Sequence, residues 1–215
     1  TLKDICGSDL AAMTVKALVA KTGIYEKGGK VDTVMCGSAA GCGYSWSHAR
    51  YITMAAGLPF ETSASFVEMQ CGSAIDSINH AAWKILSGAA DVVVAGGFES
   101  HSNKTVKYLT TVQPYKGIGP QVAKAKIHAD AEQNASMIQI SDLMAEKWNI
   151  SREACDEFAV RSQARAAAST EKGYFVEEIV PISARLIAGK ASFKFKNEPI
   201  EAIVNSISRQ MEAIQ

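Results

Sequence analysis

The stretch that decides the fold is Phe66-Val67-Glu68-Met69-Gln70-Cys71-Gly72-Ser73-Ala74. Residues 63–69 carry apolar and β-favouring side chains and predict a strand. Gly72 and Ser73 lead into a segment with apolar residues on one side of a helix, at Ile75, Ile78, Ala82, Ile85 and Leu86, and with a stop at Gly88. The stretch therefore predicts a strand-to-helix turn with a cysteine at its centre.

Strands and helices also alternate on both sides of this turn. We predict helices over residues 9–22 and about 45–56, and strands over residues 31–35 and 91–95. The strand at 91–95 contains three consecutive valines, which is typical of a strand buried on both faces. Alternation at this spacing indicates an α/β layered core.

The sequence becomes polar and irregular after Ser100. Beyond it we predict helices over residues 140–148 and 151–173, a strand over 178–182, a hairpin over 183–196 and a final helix over 199–215. We expect an α/β core over residues 1–100 and a mostly helical segment over residues 101–215.

Composition excludes several classes of protein. The chain has 215 residues, of which 47% are hydrophobic, and 22 basic side chains balance 22 acidic ones. This balance is ordinary for a soluble globular protein and argues against a disordered chain or a nucleic-acid-binding surface. No apolar run reaches the length of about 18 residues that a membrane helix needs. Five cysteines without CxxC spacing favour free thiols in a reducing compartment, so we expect a cytoplasmic protein without a metal site.

Cys71 is the candidate nucleophile. A thiol at the start of a helix faces unsatisfied N–H groups that favour the thiolate, and its own backbone N–H points to where an oxyanion would form. The small residues Gly72 and Ser73 leave room for an acyl carbonyl. The alternative is that Cys71 is a buried core cysteine, the reading that we prefer for Cys36, Cys42 and, on the inward side of its helix, Cys155.

A family resemblance favours the catalytic interpretation. Residues 67–74 (VEMQCGSA) and 88–100 (GAADVVVAGGFES) resemble the nucleophile region of thiolases, the acetyl-CoA acetyltransferases and 3-ketoacyl-CoA thiolases. Shorter blocks match in order and spacing over nearly the whole chain: AR at 49–50, AAGLP at 55–59, AEKW at 145–148, SRE at 151–153, DEFA at 156–159 and EIVP at 178–181.

The resemblance implies a layered αβαβα fold of two similar halves, of which this chain carries the N-terminal half, with a loop domain inserted after residues 96–97. It implies thiolytic cleavage of a 3-ketoacyl-CoA by coenzyme A, or the reverse Claisen condensation, through an acyl-Cys71 intermediate. The loop domain, residues 101–215, is expected to form the CoA and acyl pocket, with Met137 at the methionine of the family's His-Met-Gly motif. Coenzyme A thioesters are substrates in this reading, and no cofactor is expected.

The chain also departs from the thiolase pattern. The motifs of the family's second half, including its Gly-His-Pro histidine and Cys-x-Gly cysteine, have no counterpart, so we expect a fragment or one part of a split enzyme. Ser136 stands at the pocket histidine and Ala74 at the glycine that usually follows Cys-Gly-Ser. Because these changes surround the predicted acyl pocket, formed by Gly72, Ser136 and Met137, a bulkier or branched acyl group is a reasonable hypothesis.

Two alternatives stay open from the sequence. One is a β-ketoacyl synthase, which shares the core and the strand-to-helix cysteine. The other is a non-catalytic acyl-CoA-binding or scaffolding subunit that keeps the fold. The resemblance further implies a dimer or tetramer in which the strand at 63–69 pairs across a twofold axis, and a second chain could supply the C-terminal catalytic half.

Overall fold

The structure is a computed structural model that describes residues 2, 5–39, 41, 47–109, 115, 121–123, 126, 128–130 and 132–182. The chain divides into two compact units, Thr1–Thr105 with Pro181–Gln215, and Val106–Val180. The predicted hairpin at 183–196, the predicted helix at 199–215 and Cys42 lie outside the described residues.

A parallel three-stranded sheet forms the centre of the first unit. Its strands are β1 (Thr33–Gly37), β2 (Ser63–Val67) and β3 (Val93–Gly97), in the order β2-β1-β3. Thr33 pairs with Ser63 and with Val93, and Gly37 pairs with Val67 and with Gly97. All three strands therefore end at the same level, and the segments that follow them leave from one edge of the sheet.

Three helices cover the two faces of this sheet, which confirms the predicted α/β class. They are α1 (Gly7–Thr22), α2 (His48–Ala55) and α3 (Ser73–Leu86). Cys36 packs with Ala12 of α1 and with Ala49 and Ile52 of α2, so α1 and α2 share one face. The next residue, Gly37, abuts Ser73 of α3, so α3 lies on the opposite face.

Glycine ends α1 for a conformational reason. Gly23 adopts a left-handed conformation with φ of 59°, and its N–H donates to the carbonyl groups of Val19 and Ala20. A residue without a Cβ adopts this conformation at little cost and satisfies carbonyl groups that the helix end leaves open. This turn directs the chain towards β1.

The amino ends of β1 and β3 are joined through Asp32. Its Oδ2 accepts hydrogen bonds from the backbone N–H groups of Val92 (3.0 Å) and Asp91 (2.9 Å), and its Oδ1 lies 3.0 Å from Lys30 Nζ. These bonds, led by the one from Val92, lower the pKa of Asp32 to about 2. The carboxylate therefore fixes the entry into β3 beside the central strand.

The second unit contains the short antiparallel strands β4 (Tyr108–Leu109) and β5 (Gln121–Val122) and the helices α4 (Met137–Lys147) and α5 (Arg152–Glu171). None of its described residues is buried. The placement of Cys155 in a core is therefore wrong, because this cysteine lies exposed on α5. The predicted strand at 178–182 is also wrong: the Glu178 and Ile179 N–H groups both donate to the Phe175 carbonyl in the turn that follows α5, and residues 179–182 form no strand.

Within the described residues, no helix is both long and apolar enough to cross a membrane.

Candidate active site

The predicted strand-to-helix turn is present, and we call residues 68–73 the elbow. β2 ends at Val67 and α3 begins at Ser73, with Cys71 exposed between them. Gln70 precedes the cysteine with φ of 48°, a left-handed conformation that costs about 1–2 kcal/mol for a residue with a Cβ. Such a conformation persists only where neighbouring groups hold it.

Ser73 holds the elbow from its helical side. This residue is 3% exposed. Its hydroxyl accepts a hydrogen bond from Met69 N (2.9 Å) and donates one to Gln70 O (2.6 Å). The Ser73 N–H also donates to Gln70 O at 3.1 Å. One side chain thus joins the end of the strand to the first turn of the helix.

Glu68 holds the elbow from its strand side. Glu68 Oε1 accepts from the backbone N of Gln70 at 2.9 Å and from its side-chain Nε2 at 2.8 Å. A hydrogen bond with one charged partner is stronger than a neutral one. The N–H, carbonyl and amide side chain of Gln70 are therefore all engaged.

Glycines allow α3 to lie almost directly on the sheet. A Cβ on Gly37 would lie 2.5 Å from the Ser73 carbonyl oxygen, and a Cβ on Gly97 would lie 2.6 Å from the Ala74 Cβ. Ser77 of α3 donates from Oγ to the Gly96 carbonyl at 2.9 Å. The first turns of α3 are therefore positioned by the backbones of β1 and β3.

The same edge carries a carboxylate after β3. Glu99 Oε2 accepts from Ser38 Oγ (3.1 Å) and from Ala39 N (3.0 Å), and Ser38 Oγ accepts from Gly41 N (3.1 Å). Phe98 N donates to Gly37 O at 3.0 Å. These hydrogen bonds therefore join the segments that follow β1 and β3, at the edge of the sheet where β2 also ends.

Comparison with known proteins shows the family of the chain. The model of the thiolase N-terminal domain matches residues 1–210. The chain belongs to the thiolase family. It is 34% identical over 177 residues to the steroid 3-ketoacyl-CoA thiolase FadA6 of Mycobacterium tuberculosis, a match that covers 81% of this chain and 43% of the relative.

Two further thiolase-family relatives give the same picture. The acetyl-CoA acetyltransferase of Chromobacterium violaceum is 34% identical over 184 residues, covering 84% of this chain and 46% of the relative. The 3-ketoacyl-CoA thiolase of Bacillus subtilis is 36% identical over 183 residues, covering 85% and 44%. The chain therefore spans slightly less than half the length of these curated relatives.

Two histidines in the first unit of this thiolase-family chain, His48 and His80, make defined side-chain contacts, neither of them with Cys71. The His48 ring lies 5.3 Å from the Phe66 ring and 5.9 Å from the Phe98 ring, and its Nδ1 lies 3.3 Å from Ser8 Oγ. Burial lowers the pKa of His48. His80 Nε2 lies 3.6 Å from Asp76 on the next turn of α3. His48 is therefore half-buried beside two aromatic rings, and His80 is half-buried beside a carboxylate of its own helix.

Cys36 and Cys71 occupy opposite environments. Cys36 is 6% exposed within the α1–α2 face of the sheet, and burial raises its pKa to about 12. A thiol in that state is a poor nucleophile near neutral pH. Cys6, which precedes α1, is also buried. In the described part of the first unit, Cys71 is the exposed cysteine.

The predicted substrate-binding residues lie in both units. Gly72 is half-buried in the elbow, directly after Cys71. Ser136 caps α4: its Oγ accepts from Gln139 N (3.3 Å), while Gln139 Oε1 accepts from Ser136 N (2.8 Å). Met137 is the first residue of α4 and is 59% exposed. Sequence reasoning identified none of these capping contacts, although Ser at 136 with Gln at 139 is the pattern of a capping box.

A cavity of about 260 Å³ lies on the other face of the sheet, between α1 and β3. Leu10, Val15, Val94 and Phe98 are among its lining residues, and Cys71 is not. This cavity is therefore separate from the elbow. In the described residues, no group of three His, Cys, Asp or Glu side chains could hold a metal ion.

Proposed function

We propose that this chain carries the nucleophile of a thiolase-type acyltransferase, with Cys71 as the residue that is acylated. The observation that carries the proposal is the exposure of Cys71 at the strand-to-helix turn of a chain that belongs to the thiolase family. A thiolate suits this chemistry because it is both a strong nucleophile and a good leaving group.

The proposed reaction has two steps. Cys71 attacks the keto carbon of a 3-ketoacyl-CoA, the bond between the α and β carbons breaks, and acetyl-CoA leaves as an enolate that takes up a proton. Coenzyme A then attacks the acyl-Cys71 thioester, which releases the shortened acyl-CoA and the free thiol. The reverse sequence condenses two acyl-CoA molecules. The backbone N–H of Cys71 is the proposed donor to the oxyanion.

Both steps need proton transfers. General acid–base groups typically accelerate such steps by about 10²–10⁴-fold. The proposal places the general base and the second acid/base group in the part of the fold that lies beyond the matched region of the longer relatives, on the same polypeptide or on a second chain.

The residues proposed to bind the acyl group are Gly72, Ser136 and Met137. Gly72 adds no side chain next to the thiol, although a Cβ there would lie 2.5 Å from Met69 Cε, and Met137 offers an exposed apolar side chain. Serine instead of a histidine at 136 supports an acyl group bulkier than acetoacetyl. Activity limited to short acyl chains would contradict this part of the proposal.

Alkylation with iodoacetamide tests the role of Cys71. We expect fast labelling of Cys71 and strong protection by acetyl-CoA, with an acetyl group found on the Cys71 peptide by mass spectrometry. Cys155 is the matched exposed thiol and should show no protection, and C71S should abolish acylation. Slow labelling of Cys71 that acetyl-CoA does not change would instead support a non-catalytic scaffold.

Assembly and location belong to the same proposal. β2 is an edge strand of the described sheet, which suits pairing across a twofold axis in a dimer or tetramer. Sedimentation of the purified protein measures this state, and a monomer at all concentrations would contradict it. The four described cysteines are free, which supports a reducing compartment such as the cytoplasm.

A further inference from the structure

The backbone conformation of Gln70 sets the orientation of Cys71. It lies in the left-handed region at φ 48° and is bonded through its peptide to Cys71. A change at Gln70 therefore rotates the peptide that carries the Cys71 N–H and redirects the thiol. Any group that holds Gln70 also controls where Cys71 points.

We propose that Glu68 is a positioning residue for Cys71 and acts through Gln70. Its Oε1 binds Gln70 at two points, the backbone N at 2.9 Å and the side-chain Nε2 at 2.8 Å. Two bonds from one carboxylate oxygen fix both the backbone and the side chain of Gln70. The inference rests on the proposed role of Cys71 and extends it to the residue three positions earlier.

Glu68 differs from Ser73, the other residue that holds the elbow. Ser73 is buried and joins β2 to α3, so its removal disturbs the fold as well as the site. Glu68 is exposed, and within the described residues both of its hydrogen bonds go to Gln70. A Glu68 variant is therefore expected to fold, and its effect is confined to the elbow.

Hydrogen exchange at the next two amides tests the inference in the full chain. Gly72 N donates to Met69 O and Ser73 N donates to Gln70 O, so neither bond involves Glu68. We expect E68A to accelerate exchange at both amides by about tenfold, the lower end of the range that loss of a charge-assisted bond produces. E61Q is the matched control, since Glu61 is an exposed carboxylate just before β2, and it should leave both rates within about twofold. Unchanged rates in E68A would overturn the inference.

A second background tests whether Glu68 acts through Gln70. Glycine adopts positive φ without the cost that glutamine bears. The acceleration of exchange that E68A causes at the Gly72 and Ser73 amides should therefore be less than half as large in the Q70G background as in the wild type. An equal effect in both backgrounds would show that Glu68 acts by another route.

The pH profile of Cys71 alkylation separates positioning from simple charge. E68Q and E68A both remove the negative charge, but E68Q keeps an oxygen that can accept from Gln70. If Glu68 positions the thiol at the helix start, the rise of the Cys71 alkylation rate with pH occurs at higher pH in E68A than in E68Q. The pH dependence of Cys155 alkylation stays the same in both variants. Coincident profiles for E68A and E68Q would contradict positioning. The test is independent of catalysis: failure of wild-type Cys71 to accept an acetyl group would refute the proposed function and leave these three readouts intact.

Discussion

The Cα of Gly37 lies so close to Ser73 that a Cβ at residue 37 would lie 2.5 Å from the Ser73 carbonyl oxygen. This relationship places the end of the central strand directly against the residue that follows the Cys71–Gly72 pair. The two nearest atoms, the Ser73 carbonyl oxygen and carbon, are backbone atoms, which cannot rotate away as a flexible side chain would. The sheet therefore sets the position of the elbow.

G37A is expected to displace the start of α3. Overpacking of this kind typically costs about 1–3 kcal/mol in the free energy of unfolding. We expect a loss of that size in chemical denaturation and at least a tenfold slower acylation of Cys71 by acetyl-CoA. G96A is the matched control, because a Cβ at Gly96 meets nothing within 4 Å. Equal behaviour of G37A and G96A would contradict the close approach.

S73A is expected to destabilise the first unit. The variant removes the acceptor for Met69 N and a donor to Gln70 O, and loss of a partner for a buried polar group costs about 1–3 kcal/mol. Denaturant unfolding should show this decrease, together with slower acylation of Cys71. S87A is the control at an exposed serine that ends α3, and its unfolding free energy should change by less than about 0.5 kcal/mol.

Asp32 is expected to make the first unit sensitive to acid. Its folded-state pKa of about 2 lies below the ordinary value for aspartate, about 3.9, so its contribution is complete above pH 4. That contribution is lost as the pH falls from about 4 through 2. D32N should lower the denaturation midpoint at pH 7 and remove part of the decrease on acidification. E61Q should reproduce the wild-type pH profile, and a D32N profile parallel to the wild type would contradict this role.

Ser136 has a structural role that can be separated from substrate binding. S136A removes the cap of α4, and caps of this type contribute about 1 kcal/mol. We expect faster hydrogen exchange at Gln139 N in S136A, whereas S136T, which keeps the hydroxyl, should stay near the wild-type rate. S141A is the control on the same helix. If S136T also leaves the KM for acyl-CoA unchanged while S136A raises it, the cap is what the acyl site requires.

The α/β core could be predicted from the sequence because its apolar patterns are strong. The predicted strands at 31–35 and 91–95 nevertheless lie two residues before the observed ones, Thr33–Gly37 and Val93–Gly97. Glycines usually indicate the end of a strand, but Gly37, Gly96 and Gly97 belong to these strands. Two of them are needed there because α3 lies against the sheet, a tertiary reason that local patterns do not contain.

The elbow was only partly predictable. The strand, the cysteine and the helix follow from the sequence, and the structure leaves Cys71 exposed between the strand and the helix. The left-handed conformation of Gln70 could not be predicted from the sequence, because glutamine has no preference for it. The hydrogen bonds to Glu68 and Ser73 impose this conformation. The prediction for Cys155 is wrong because it requires α5 to have an inward, buried face. The structure shows no buried residue on α5.

The hydrogen bonds of the elbow also have a consequence for biosynthesis. Every one of them joins residues at most four positions apart, from the Glu68–Gln70 pair to Asp76 N on Gly72 O. Contacts this close in sequence form quickly and need no distant partner. On the ribosome, the turn around Cys71 can therefore take shape as soon as α3 has emerged, before β3 or the second unit has been translated.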